Sequence, residues 1–202
     1  MSTHDAEIRK LARVLGVPPE RFAYLHDVPS ADLRQLREQV TSTLFDSHLG
    51  VLERMAGASR LLPSSLLAKL AEKAFGPLLS ARIAGLVDAG RGVDIAKRLP
   101  PGFLADVAAE LDPRRAAGII AGLPEPLVVA VATELTRRED WITIARFVDH
   151  LPESTIVASL EVIPDHGLPH VAAMVDDPAR VAYVADLLPA HRQDAIPDDL
   201  AG

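Results

Sequence analysis

His166 and His170 stand four residues apart in the stretch PDHGLPH, with Asp165 beside them. Two imidazoles at i and i+4 share one helical face and can hold a metal ion. Asp165, His166 and His170 are therefore the candidate metal ligands of this chain. Gly167 and Pro169 lie between the two histidines, and Pro169 is suited to open a helix, so a shared face is not guaranteed. Asp149 and His150 precede another corner and join such a group only through tertiary stacking. Hard cations such as Mg²⁺ need one or two carboxylates plus water, and acidic pairs occur at Glu139-Asp140, Asp176-Asp177 and Asp198-Asp199. Helix N-capping explains Asp176 and Asp177 without any ion, and no cofactor is expected apart from Mg²⁺ as a candidate.

Covalent and acid–base chemistry find less. The chain has no Gly-rich phosphate loop, no Gly-x-Ser-x-Gly elbow and no His-Glu-x-x-His. Ser64, Ser65 and Ser154 lie near corners, where caps belong. No catalytic residue is assigned, and the chain is expected not to be an enzyme.

The elements that carry these residues follow a repeat. Leu-Pro, Leu-Asp-Pro and Leu-Pro recur at Leu99, Leu111 and Leu123. Extended in both directions, the register opens units at Leu62, Phe75, Val87, Leu99, Leu111, Leu123, Leu135, Leu151, Ile163, Val175 and Leu188. Seven of the ten intervals are twelve residues. Pro or Asp follows most openings, as suits a helix first turn or cap. Five residues on stand Leu67, Leu104, Ala116, Val128, Ile156 and Leu168. Eight on stand Leu70, Ile83, Ile95, Val107, Ile119, Val131 and Val171. Offsets of 5, 8, 9 and 12 trace one helical face, whereas a strand would alternate every second residue. Each unit is thus a helix of about nine or ten residues, too short to be stable alone, and stacks on its neighbours. The fold class is all-α: a superhelical stack of short helices, an α-solenoid, over residues 61–202.

One interval is sixteen and contains Trp141, the sole tryptophan, and Phe147. These two are candidates for an interaction surface at a bend of the stack; a longer helix with a bulkier core residue is the plainer reading. Residues 1–60 depart from the repeat and read as a helical N-terminal cap. One helix ends near Gly16, a second opens at Pro18-Pro19 and ends near His26, and Ser30 caps a long helix over 31–59. The stripe of that helix is Leu33, Leu36, Val40, Leu44, Leu49, Leu52 and Met55, interrupted by Ser47 and His48, with Phe45 and Val51 beside it. It packs across the solenoid or serves as a homodimer seam. The segment LARVLGVPPERFAYL resembles a helix–turn–helix, but its second helix offers only Arg21, and DNA recognition needs more cations.

Composition agrees. The 202 residues include 31 alanines and are 49% hydrophobic with 4% aromatics, a balance suited to closely packed helices. The net charge of −7 repels phosphate backbones, so no nucleic acid is expected as partner. No apolar run reaches the ~20 residues of a membrane span, and the first residues, MSTHDAEIRK, are not a secretory signal. With no cysteine, the chain is expected to be cytoplasmic, without membrane insertion.

The segment VDIAKRLPPGFLADVAAELDPRRAAGIIAGLPEPLVVAVATEL, residues 93–135, resembles the cytosolic N-terminal domain of MgtE-type magnesium transporters. The likeness covers about Leu62 to Leu188. It implies a freestanding superhelical module, since the CBS and membrane parts of that family are not in this sequence. The functional expectation is a non-catalytic helical-repeat module that binds a macromolecular partner, most simply a protein. Two alternatives stand beside it: a divalent-cation (Mg²⁺) responsive regulatory domain, and a small-molecule or cofactor binder with a pocket between the long N-terminal helix and the repeats.

Overall fold

In a computed structural model the chain is described over residues 2–46, 49–193 and 195–196. Ser47, His48, the Phe45 side chain and the Asp198-Asp199 pair, all named above, lie outside the described residues. Among the described residues every regular element is helical. The chain divides into two compact units, Met1–Leu49 and Gly50–Gly202. The boundary read from the sequence, at 60/61, lies beyond this division.

The first unit holds α1 (Thr3–Leu15), a short 3₁₀ helix (Pro19–Leu25) and α2 (Ser30–Asp46). A capping box starts α1: Ser2 Oγ accepts from the Asp5 N–H at 3.1 Å, and Asp5 Oδ2 accepts from the Ser2 N–H at 3.4 Å. Gly16, at φ +66°, ends it in the left-handed conformation that glycine adopts without strain. The expected second helix is this 3₁₀ segment instead, with a single arginine, Arg21. Helix α2 begins at Ser30 itself rather than one residue later, because the Pro29 carbonyl already accepts from the Leu33 N–H at 3.1 Å. Of the helix expected over 31–59, the described residues show α2 up to Asp46 and α3 (Leu49–Ser59); Ser47 and His48 between them lie outside the described residues.

Helices α1 and α2 pack against each other around Ala6, Leu11, Ala12 and Leu33. A carboxylate lies in that seam. Glu7 is fully buried; its Oε1 accepts from Lys10 Nζ at 2.9 Å and stands 3.6 Å from Arg34 Nε, while Oε2 accepts from Arg37 Nε at 3.1 Å. Three cations thus converge on one anion and tie the two helices together.

The second unit continues with α4 (Ser64–Leu70), α5 (Gly76–Ala84), α6 (Ala89–Ala96), α7 (Pro101–Glu110), α8 (Ala117–Gly122), α9 (Glu125–Arg137), α10 (Trp141–Phe147), α11 (Glu153–Leu160), α12 (Leu168–Met174), α13 (Pro178–Asp186) and α14 (Ala190–Gln193). Contacts skip one helix. α5 packs on α7, α7 on α9 and α9 on α11, forming one column; α4 packs on α6 and α6 on α8, forming the other, which continues through the 3₁₀ turn Val148–His150 to α10 and α12, with α10 also touching α9. This is the expected stack of short rungs. Pro63, Pro100, Pro124 and Pro152 stand one position earlier than expected, as N-caps with extended backbone. Their carbonyls accept from Leu67, Leu104, Val128 and Ile156, so each corner fixes the residue that faces inward five places after the opening.

The irregular intervals have local causes. The thirteen-residue step from Leu62 to Phe75 contains a π-helical segment, Ala71–Phe75, which absorbs one extra residue. The sixteen-residue step holds a longer α9 and a closing turn at Glu139, φ +54°. There the Asp140 N–H donates to the Leu135 carbonyl and the Glu139 N–H to the Thr136 carbonyl, a Schellman closure with Glu in the usual glycine place.

Arginines tie rungs across the stack. Arg91 donates to the Ser59 and Leu62 carbonyls, Arg146 to those of Ala109 and Leu111, Arg180 to that of Val148, and Arg192 to those of Leu160 and Ile163. Each satisfies carbonyls left over where an earlier helix ends.

Candidate functional site, an apolar cavity inside the repeats

The inward face of the rungs lines a partly open cavity of about 370 Å³ within the second unit. Its wall is the repeat register. Every unit opening from Leu62 to Val175 lines it, as do the fifth-position residues Leu67, Leu104, Ala116, Val128, Ile156 and Leu168 and the eighth-position residues Leu70, Ile83, Ile95, Val107, Ile119, Val131 and Val171. Among the described residues no charged side chain lines it. Protein interiors hold few voids larger than a water molecule, and binding pockets begin at about 300 Å³. This volume falls in the size range of binding pockets and is the candidate site. The firmest part of the wall is the buried cluster Ala81, Val107, Leu111, Ala116 and Ile120, with Ala84, Phe103, Phe147 and Leu151 packed against it.

Ser59, Ser80 and Ser159 are the polar side chains of the described wall. Ser59 Oγ donates to the Ala56 carbonyl at 2.6 Å. The hydroxyls of Ser80 and Ser159 are buried without a hydrogen-bond partner, although a buried hydroxyl ordinarily has one.

The residues singled out from the sequence are distributed as follows. Phe147 packs inward on the cluster just named and lines the cavity. Trp141 meets both histidines: its ring stacks on His170 with centroids 6.2 Å apart and stands edge-on to His166 at 6.4 Å. Asp165 accepts from Arg192 Nε at 2.7 Å. Among the described residues no group of three or more His, Asp or Glu side chains gathers as a metal-binding set. The corner carboxylates act as caps: Asp140 accepts from the Thr143 N–H at 3.2 Å and from its hydroxyl at 2.7 Å, and Asp177 from the Ala179 N–H at 3.0 Å.

The Trp141 cluster depends on Gly167. A Cβ there would lie 2.8 Å from Trp141 Cη2 and 2.9 Å from Cζ3. A rigid indole cannot yield to that, so Gly167→Ala is expected to displace the ring at a cost of about 1–3 kcal/mol. Emission of the sole tryptophan should shift to the red, with a Tm lower by several degrees; unchanged emission would contradict the packing.

The corner charges give the stack an acid limit. Hydrogen bonds from Arg137 and Arg138 hold the Glu134 carboxyl down at about 2, below its ordinary 4.5. Burial raises Asp112, but the hydrogen bond and charge of Arg114, helped by Arg146, outweigh it and leave the carboxyl below its usual range. Both groups are more acidic folded than unfolded, so their contribution is complete above the ordinary carboxylate range and is lost as pH falls through the folded values. Tm is expected to be level above pH 4.5 and to fall between there and about 2; a level Tm down to that limit would contradict the pairing.

Compared with protein-family models, curated proteins and solved structures, the chain matches none. No described helix is long and apolar enough to cross a membrane.

Proposed function

We propose that the chain is a non-catalytic helical-repeat binding module whose ligand is an apolar molecule held inside the stack. The observation that carries this reading is the coincidence of the repeat register with an uncharged cavity wall. A repeat kept only for packing would close its interior, since each apolar group left facing a void loses its dispersion contacts. An apolar ligand restores them at about 25 cal/mol per Å² removed from water. Of the expected alternatives, this is the small-molecule binder. The wall includes Met55, Ala58 and Ser59 of α3, the last part of the helix expected over 31–59.

The test uses N-phenylnaphthylamine, an uncharged dye that brightens in apolar surroundings. One equivalent is expected to bind, and Ala132→Phe, which adds a ring to the middle of the wall, is expected to abolish the response while Tm is retained. Ala108→Leu is the milder second variant. A response that persists in both, or none in the parent chain, would overturn the reading.

A macromolecular partner draws on a separate observation. Val51, Leu61, Leu66 and Leu78 are exposed on the first rungs, Leu61 to 86%, and large exposed apolar side chains in one region mark contact surfaces. Leu61→Asp combined with Leu78→Asp would abolish a protein complex seen by co-purification; a complex that survives both changes would exclude this surface.

A further inference from the structure

We infer that the cavity selects a neutral single-chain lipid, an aliphatic chain of about 12–18 carbons bearing uncharged oxygen, and discriminates against the carboxylate of the same chain. This rests on the proposed function above and names the ligand class. Two hydroxyls on residues of the wall have no hydrogen-bond partner. Ser80 holds the fifth place after the Phe75 opening, and Ser159 the eighth after Leu151. Asp140, Thr143, Arg180 and Tyr183 also hold fifth or eighth places but do not line the wall, whereas the lining counterparts, such as Leu67 and Ile156 or Val107 and Val171, are apolar. Among the residues of these places that line the cavity, the two serines are the polar ones. Both hydroxyls are buried without a partner, and Ser159 is 8% exposed. An unpaired buried hydroxyl is unfavourable, so a ligand oxygen that meets either serine, once its side chain turns toward the cavity, gains what the protein forgoes.

Length and volume set the chain. Ser80 lies on α5 and Ser159 on α11, the two ends of the column α5, α7, α9, α11. Three interaxial steps of about 9 Å place them on the order of 27 Å apart. An extended chain advances about 1.2 Å per bond, so it crosses that distance in roughly twenty atoms. The volume of about 370 Å³ holds on the order of 25 water-sized groups, at about 15 Å³ of cavity space each. One chain fits and two do not. Charge sets the head group. No Lys, Arg or His stands in the described wall, and burying an ionised carboxylate without a cation is strongly unfavourable. Hydroxyl and ester oxygens cost far less to bury than a carboxylate, and one of them can pair with a serine hydroxyl.

The experiment displaces N-phenylnaphthylamine from the purified full chain with monomyristoylglycerol or with myristate, both at about pH 8, where the fatty acid is ionised. Monomyristoylglycerol is expected to displace the dye at one equivalent, and myristate at least about tenfold more weakly. Ser159→Ala is expected to weaken monomyristoylglycerol about fivefold with the dye itself unaffected, and Ser159→Thr, which keeps the hydroxyl, to retain affinity. Equal displacement by both lipids, or no effect of Ser159→Ala, would overturn this inference while the dye still reports an interior site. Failure of the dye to bind would instead remove the functional reading itself.

Discussion

Glu7→Ala is expected to unfold the α1–α2 pair. The carboxylate is fully buried and receives Lys10 at 2.9 Å and Arg37 at 3.1 Å, with Arg34 at 3.6 Å. Removing one partner of a buried ionic group costs about 3–5 kcal/mol, because the others stay buried and uncompensated. Here Lys10 is 4% exposed and Arg37 12%, so neither reaches water readily. A unit of this size has only a few kcal/mol to lose. Amide exchange should lose its protection across Thr3–Leu15 and Ser30–Asp46. Replacing the buried members, Glu7→Leu with Lys10→Met and Arg37→Leu, should restore much of it, because apolar packing of equal volume substitutes well for a buried ion network and Arg34, 34% exposed, reaches water. Protection that survives Glu7→Ala would show that the network does not hold the pair.

The second large effect is expected at Ile120. It is 3% exposed, belongs to the central buried cluster and borders the cavity. Ile120→Ala removes three carbons from a wall that other rungs brace, at about 3 kcal/mol. For a chain of this length Tm should fall by about 6–12 °C. A ligand that binds only the folded state offsets the loss, by about 2.7 kcal/mol at a concentration of 100 times its Kd. Neutral dye or monomyristoylglycerol should therefore raise the Tm of this variant. A Tm that stays low whatever apolar compound is added would separate the cluster from the site.

Much of the repeat was legible in the sequence because it is local. A corner proline and the apolar residue four places later belong to one helical turn, and their recurrence appears in the chain as a period of twelve. The cavity was not legible, because periodicity says which residues face inward but not whether opposite walls meet. Side chains of the same type fill a core or surround a void, and the distance between columns decides. The signal for its polar points was present, however. Ser80 and Ser159 interrupt the fifth and eighth places of the register. Trp141 and the two histidines were singled out on separate grounds, and the α10–α12 contact makes them neighbours. The Glu7 group left no sequence mark beyond ordinary charges on α1 and α2, since burial of a carboxylate follows from which faces of two helices meet.

The most direct measurement of the central claim is photolabelling with a diazirine-bearing alkane, read by peptide mass spectrometry. Saturable label is expected on cavity-wall positions such as Ile120, Val131 and Ala132, lost when N-phenylnaphthylamine is added. Label concentrated on exposed Leu61 and Leu78 and indifferent to the dye would contradict that claim.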